Sequence, residues 1–161
     1  MTYFDSGLLV KAHCPEADMA IAHGLIEASD PPIPFTELHG LEVRTALRLK
    51  RFRGELTADE LAGALDTLQS DLVTGLLARP AMDLEAMFLQ AEVLSARHAA
   101  ETGARSLDIL HVAAAVVLEA DAFASLDERQ RKVAAKAGLK LLPRTLPTRT
   151  STKPTRPTGA S

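Results

Sequence analysis

Two scales of apolar spacing alternate along this chain. Short apolar runs of a few residues are followed by longer stretches where apolar residues return every three or four positions, which reads as strand then helix, repeated. Tyr3-Phe4 opens as a strand and runs into Asp5-Ser6-Gly7. A helical pattern then extends to about Cys14 and breaks at Pro15, and a second helix covers 16–28. Ile33-Pro34-Phe35 reads as a very short strand, with Thr36 as N-cap of a helix over 37–52 that Gly54 stops. The apolar stripe of that helix is read as Leu38, Leu41, Thr45, Leu49 and Phe52 with Ala46 alongside, and Glu42 on its margin. Thr57 and Glu60 make a capping box for a helix to about Val73, and the segment 75–82 holds a further edge strand. Asp83 caps a helix over 84–101, stopped by Gly103.

The later part repeats the opening motif. Ser106-Leu107-Asp108 leads into a helix apolar on nearly every side, which predicts burial. Ala122-Phe123-Ala124 is a strand that ends, like the first, in hydroxyl and carboxylate: Ser125-Leu126-Asp127. A helix over 128–137 and a last strand over 139–142 close the pattern at Pro143. Strands alternating with helices predict an α/β fold with a parallel sheet covered on both faces.

Composition adds limits. The 161 residues are 47% apolar and 24% charged, as in an ordinary single globular domain. No run of about 18 uncharged apolar residues is present, the N-terminus lacks a signal-peptide layout, and Cys14 is the single cysteine; the expected location is the cytoplasm. The folded domain is expected over 1–143, and the Thr/Pro/Arg-rich stretch 144–161 as a disordered tail. Four of the 18 basic residues lie in that stretch, which leaves 14 basic against 21 acidic residues in the body, a net of −7. A body this acidic argues against a general nucleic-acid coat.

Four acids stand out by position: Asp5 and Asp127 at strand ends, Asp108 at the start of a buried helix, and Glu42 beside an apolar stripe. Carboxylates brought together at the carboxyl edge of a parallel sheet repel one another, and a divalent cation relieves that repulsion. All-oxygen ligation suits Mg2+ or Mn2+, and such ions can turn water into a nucleophile for phosphodiester hydrolysis. Ser6 and Ser125 stand where hydroxyls would orient a carboxylate or a water. Arg44, Arg48 and Arg51 share one side of their helix at spacings that suit phosphates. His111 is read as a core or supporting histidine, since the five histidines show no zinc-ligand spacing, and no Walker A or dinucleotide-binding fingerprint is present.

The order and spacing of these segments resemble PIN-domain ribonucleases, specifically the VapC-type toxins of bacterial toxin–antitoxin pairs. The matching pieces are Tyr3 to Lys11, Thr36 to Leu47 around Glu42, Ser106 to Ala115 around Asp108, and Phe123 to Gln130 around Asp127, with 138–142 resembling the closing strand. The resemblance spans about residues 2–143. It implies a three-layer α/β/α sandwich and an acidic site of Asp5, Glu42, Asp108 and Asp127 binding Mg2+ or Mn2+, with Ser125 in the family's hydroxyl position. It also implies RNA as substrate, a homodimer, and inhibition by a small VapB-like antitoxin. Asp121 is the nearest rival for the fourth acid, but it precedes its strand and is expected at the opposite sheet edge. Two other readings of the residues stay open: a PIN-like protein- or RNA-binding module without turnover, and a metal-dependent DNA nuclease. An aspartyl-phosphate receiver or phosphatase would need a second acid beside Asp5 or a lysine after a late strand, and neither is suitably placed.

Overall fold

The computed structural model describes residues 1–15 and 18–147. The expected start of the second helix at Glu16 and most of the expected tail therefore lie outside the described residues. The described elements are β1 (Thr2–Phe4), α1 (Ser6–Ala12), α2 (Met19–Glu27), β2 (Ile33–Pro34), α3 (Glu37–Phe52), α4 (Ala58–Thr74), β3 (Leu77–Ala78), α5 (Leu84–Thr102), α6 (Ser106–Val117), β4 (Ala122–Ala124), α7 (Glu128–Lys136) and β5 (Lys140–Leu142). The fold is mixed α/β, and every strand pair among the described residues is parallel.

The strands form two small sheets, one ordered β1-β4-β5 and the other pairing β2 with β3. Proline chemistry accounts for the division. The N–H groups of Ile33 and Phe35 bond to Leu76 and Ala78 on the β3 side. Alternation along a strand turns position 34 the other way, towards β1, which β2 touches. Pro34 has no N–H to donate there.

Strand alternation also divides the core. Tyr3 and Phe123 face one side, where they pack with Ile109, Val112, Val133 and Ala134 from α6 and α7. Phe4 and Ala124, one position on, face the other side and join Leu8, Leu9, Val43, Leu47 and Leu68 from α1, α3 and α4. Helices thus contribute apolar residues to both clusters.

Helix ends follow the expected chemistry. Thr36, Thr57 and Asp83 each accept a backbone N–H of the first turn of α3, α4 and α5. Gly75 and Gly103 close α4 and α5 in the left-handed conformation, at φ 81° and 68°. The exception is the face that α3 buries. Its core residues are His39, Val43 and Leu47, whereas Leu41 is 69% and Phe52 86% exposed. The expected stripe of Leu38, Leu41, Thr45, Leu49 and Phe52 is out of phase. A histidine begins the true stripe, and its three polar contacts are satisfied inside the core, so its polarity hid its burial.

Candidate functional site

β1 and β4 deliver the chemistry to one edge. The ladder continues one residue past each strand: Asp5 N–H bonds to Ala124 O at 2.9 Å and Ser125 N–H to Leu142 O at 3.0 Å. The side chains of Asp5 and Ser125 meet there, with Ser125 Oγ 2.5 Å from Asp5 Oδ2. The other carboxylate oxygen of Asp5 accepts Leu8 N–H at 2.7 Å, which also caps α1. Asp5 is 4% exposed, and among the described residues no lysine or arginine forms an ion pair with it. Burial pushes its carboxyl above the usual aspartate range and nearby Asp127 pushes the same way, while the bonds from Ser125 and Leu8 and the His111 charge pull it down.

Gln130 ties the other two aspartates to this pair. It is buried, with Oε1 3.1 Å from Ser125 Oγ and Nε2 3.4 Å from Asp108 Oδ1. Asp108 Oδ2 accepts Arg105 N–H at 2.8 Å, fastening the first turn of α6. Asp127 donates its N–H to Ser125 Oγ at 2.9 Å, and its Oδ1 accepts the N–H groups of Arg129 and Gln130 as the cap of α7. Asp5, Asp108 and Asp127 are therefore joined through Ser125 and Gln130. Sequence reading did not find Gln130; its position three residues after the capping Asp127, on the turn that α7 points back at the site, was the available signal.

Glu42 belongs to a second arm. Its Oε2 accepts the Ser6 hydroxyl at 2.8 Å and also meets Nε2 of His111. Ser6 Oγ also lies 2.9 Å from that nitrogen, and Nδ1 of His111 lies 2.9 Å from the Tyr3 hydroxyl. An ionised Glu42 takes a proton donor on each of these contacts, so His111 donates from Nε2. Burial alone would raise the Glu42 carboxyl; hydrogen bonding to His111, its charge and the Ser6 bond outweigh that and hold it below the usual range. His111 is thus the partner that makes a half-buried glutamate tenable.

His39 stands behind this arm. It accepts Thr36 N–H on Nδ1 at 3.0 Å and donates from Nε2 to Phe4 O at 2.8 Å. Its ring lies 4.8 Å from Tyr3 and 4.9 Å from His111. Burial, with the charge of His111 adding to it, lowers its pKa to about 3.

The remaining candidates sit apart. Arg44, Arg48 and Arg51 follow Glu42 by two, six and nine residues, which at 100° per residue turns them roughly 180–240° away, to the far side of α3. Arg44 is tethered there, bonded to Gly40 O at 3.1 Å and set over the Phe35 ring at 5.8 Å. Asp121 is at the opposite sheet edge, paired with the N-terminal ammonium of Met1.

Carboxylate, hydroxyl and amide oxygens make a hard donor set, and Asp5 is a buried carboxylate with no lysine or arginine ion pair among the described residues; both features fit a hard divalent cation. Among the described residues, however, no group of three or more His, Cys, Asp or Glu side chains is arranged to hold a metal ion. Asp108 and Asp127 spend oxygens on helix caps, and Glu42 spends one on His111 and Ser6. No model of a known protein family and no curated protein matches this chain.

Proposed function

We propose that this chain is a metal-dependent endoribonuclease of the PIN, VapC-toxin type, built as a three-layer α/β/α sandwich, working as a homodimer in the cytoplasm and restrained by a small VapB-like antitoxin. The observation that carries the reading is Asp5: a buried carboxylate at a parallel-sheet edge, linked through Ser125 and Gln130 to Asp127 and Asp108, without a lysine or arginine among the described residues to balance it. A structural aspartate in that position would be expected to keep a cation.

In this reading Asp5, Asp108, Asp127 and Glu42 hold Mg2+ or Mn2+, which when bound activates water and offsets charge on the phosphate. Ser125 fixes the Asp5 carboxylate and Gln130 fixes Asp108. Ser6 and His111 hold Glu42 ionised at the edge of the group, where it serves as a proton acceptor. Arg44, Arg48 and Arg51 contact phosphates further along the strand, from the outer side of α3.

A PIN-like binding module without turnover is the second reading, and one observation favours it: the lack of a three-ligand metal arrangement among the described residues. RNA incubated with the purified chain separates the two. Cleavage that requires Mg2+ or Mn2+ and stops with chelator supports the nuclease; binding without cleavage under every metal condition supports the module.

A further inference from the structure

Between α1 and α3 runs an open cleft of about 300 Å³ whose walls are two helical stripes. Gly7 and Lys11 are one turn apart on α1, and Glu42, Ala46 and Lys50 follow one another turn by turn on α3. The small residues, Gly7 and Ala46, keep the seam open. A Cβ at Gly7 would lie 3.5 and 3.6 Å from the two carboxylate oxygens of Asp5, so the missing side chain leaves a window over that carboxylate. Charge changes sign along the cleft. Glu42 lines one part of it, with Asp5 next to Gly7, and Lys11 and Lys50 line another. From Glu42 to Lys50 is about 12 Å along the helix axis.

We propose that this cleft seats the RNA backbone, with Lys11 and Lys50 gripping phosphates next to the one presented to the acids. The proposal rests on the ribonuclease reading and deepens it by giving the strand its path. Acids alone would repel a polyanion, and two lysines lining the same cleft supply the attraction that the net-acidic body lacks. Their ion pairs do not oppose this. Lys11 meets Asp18 at 2.9 Å and Lys50 meets Glu55 at 3.0 Å, each lysine has a further interaction besides, and a phosphate would exchange with these partners.

The test is the salt dependence of binding. A labelled single-stranded RNA oligonucleotide is titrated with protein in chelator across a KCl series, so binding is read without turnover. The parent is compared with Lys11→Gln/Lys50→Gln and with a charge-matched control, Lys132→Gln/Lys136→Gln on α7, after circular dichroism shows all three folded. Two lost phosphate contacts should lower the slope of log affinity against log salt by about 1.4, at about 0.7 each for a single strand. The control should keep the parental slope. An unchanged slope in the cleft variant, or equal losses in both variants, overturns the cleft while leaving the ribonuclease reading in place. A parent that neither binds nor cleaves RNA removes that reading and this inference with it.

Discussion

Ser125 Oγ sits 2.5 Å from Asp5 Oδ2, joining residues 120 apart in sequence across neighbouring parallel strands. The hydroxyl also accepts Asp127 N–H, so one small side chain connects the ends of β1 and β4 to the cap of α7. Ser125→Ala should destabilise the protein by about 1–3 kcal/mol, the range for leaving buried polar groups unpaired. Because the Ser125 bond lowers the Asp5 pKa, its loss should move that carboxyl further up. A denaturant midpoint unchanged from the parent would show that the bond contributes nothing.

Asp5→Asn addresses the same carboxylate from the other side. A buried carboxyl with a raised pKa binds its proton more tightly folded than unfolded, so it favours the folded state below its unfolded value, and that contribution is lost as pH rises through the folded value. At neutral pH in chelator the amide should be as stable as the parent or more so, by about 1 kcal/mol. Mg2+ should raise the parent's melting temperature through mass action and raise the variant's less. Melting curves that fall for Asn and ignore Mg2+ would make Asp5 a structural residue.

His39 should make the fold acid-sensitive. Its folded pKa of about 3 lies below the ordinary 6.5, so the unfolded chain binds the proton first. The contribution of His39 is fully present above about 6.5 and is lost as pH falls towards 3, with a slope of up to about 1.4 kcal/mol per pH unit. The neighbouring titratable groups, Tyr3 and His111, are within ring contact. His39→Gln should flatten the dependence of unfolding free energy on pH between 4 and 6; an identical slope would assign the acid sensitivity elsewhere.

Gly7 offers a separation of stability from function. Alanine fits there at ordinary contact distance, and glycine in a helix costs up to about 1 kcal/mol relative to alanine. Gly7→Ala should therefore melt no lower than the parent while cleaving RNA more slowly, since its methyl would cover the Asp5 carboxylate. Parental rates at parental stability would dismiss the window.

Strand–helix order, caps and the carboxylate-ending strands were legible because each rests on local chemistry. Thr57 with Glu60, Asp83 before its helix and Gly103 after it need only their near neighbours. The phase of α3 was not legible. Its core stripe starts with His39, whose partners Thr36 N–H and Phe4 O lie in other elements, and the exposed Leu41 and Phe52 imitate a buried face. Glu42 was marked by its place beside an apolar stripe, but His111 and Ser6 come from 69 and 36 residues away and no spacing rule links them. Gln130 was missed for the same reason: its meaning lies in the distance to Ser125 and Asp108 across the site. The division into two sheets needed the direction in which Pro34 faces, which sequence alone leaves open.

The most direct measurement compares RNA cleavage by the parent, Asp5→Asn and Asp121→Asn in Mg2+. Both substitutions remove one carboxylate charge, but Asp5 stands at the edge that gathers Ser125, Asp127 and Asp108, and Asp121 at the opposite edge beside Met1. Asp5→Asn should lose cleavage by orders of magnitude while remaining folded, and Asp121→Asn should cleave at close to the parental rate. Parental cleavage by folded Asp5→Asn would remove Asp5 from the site.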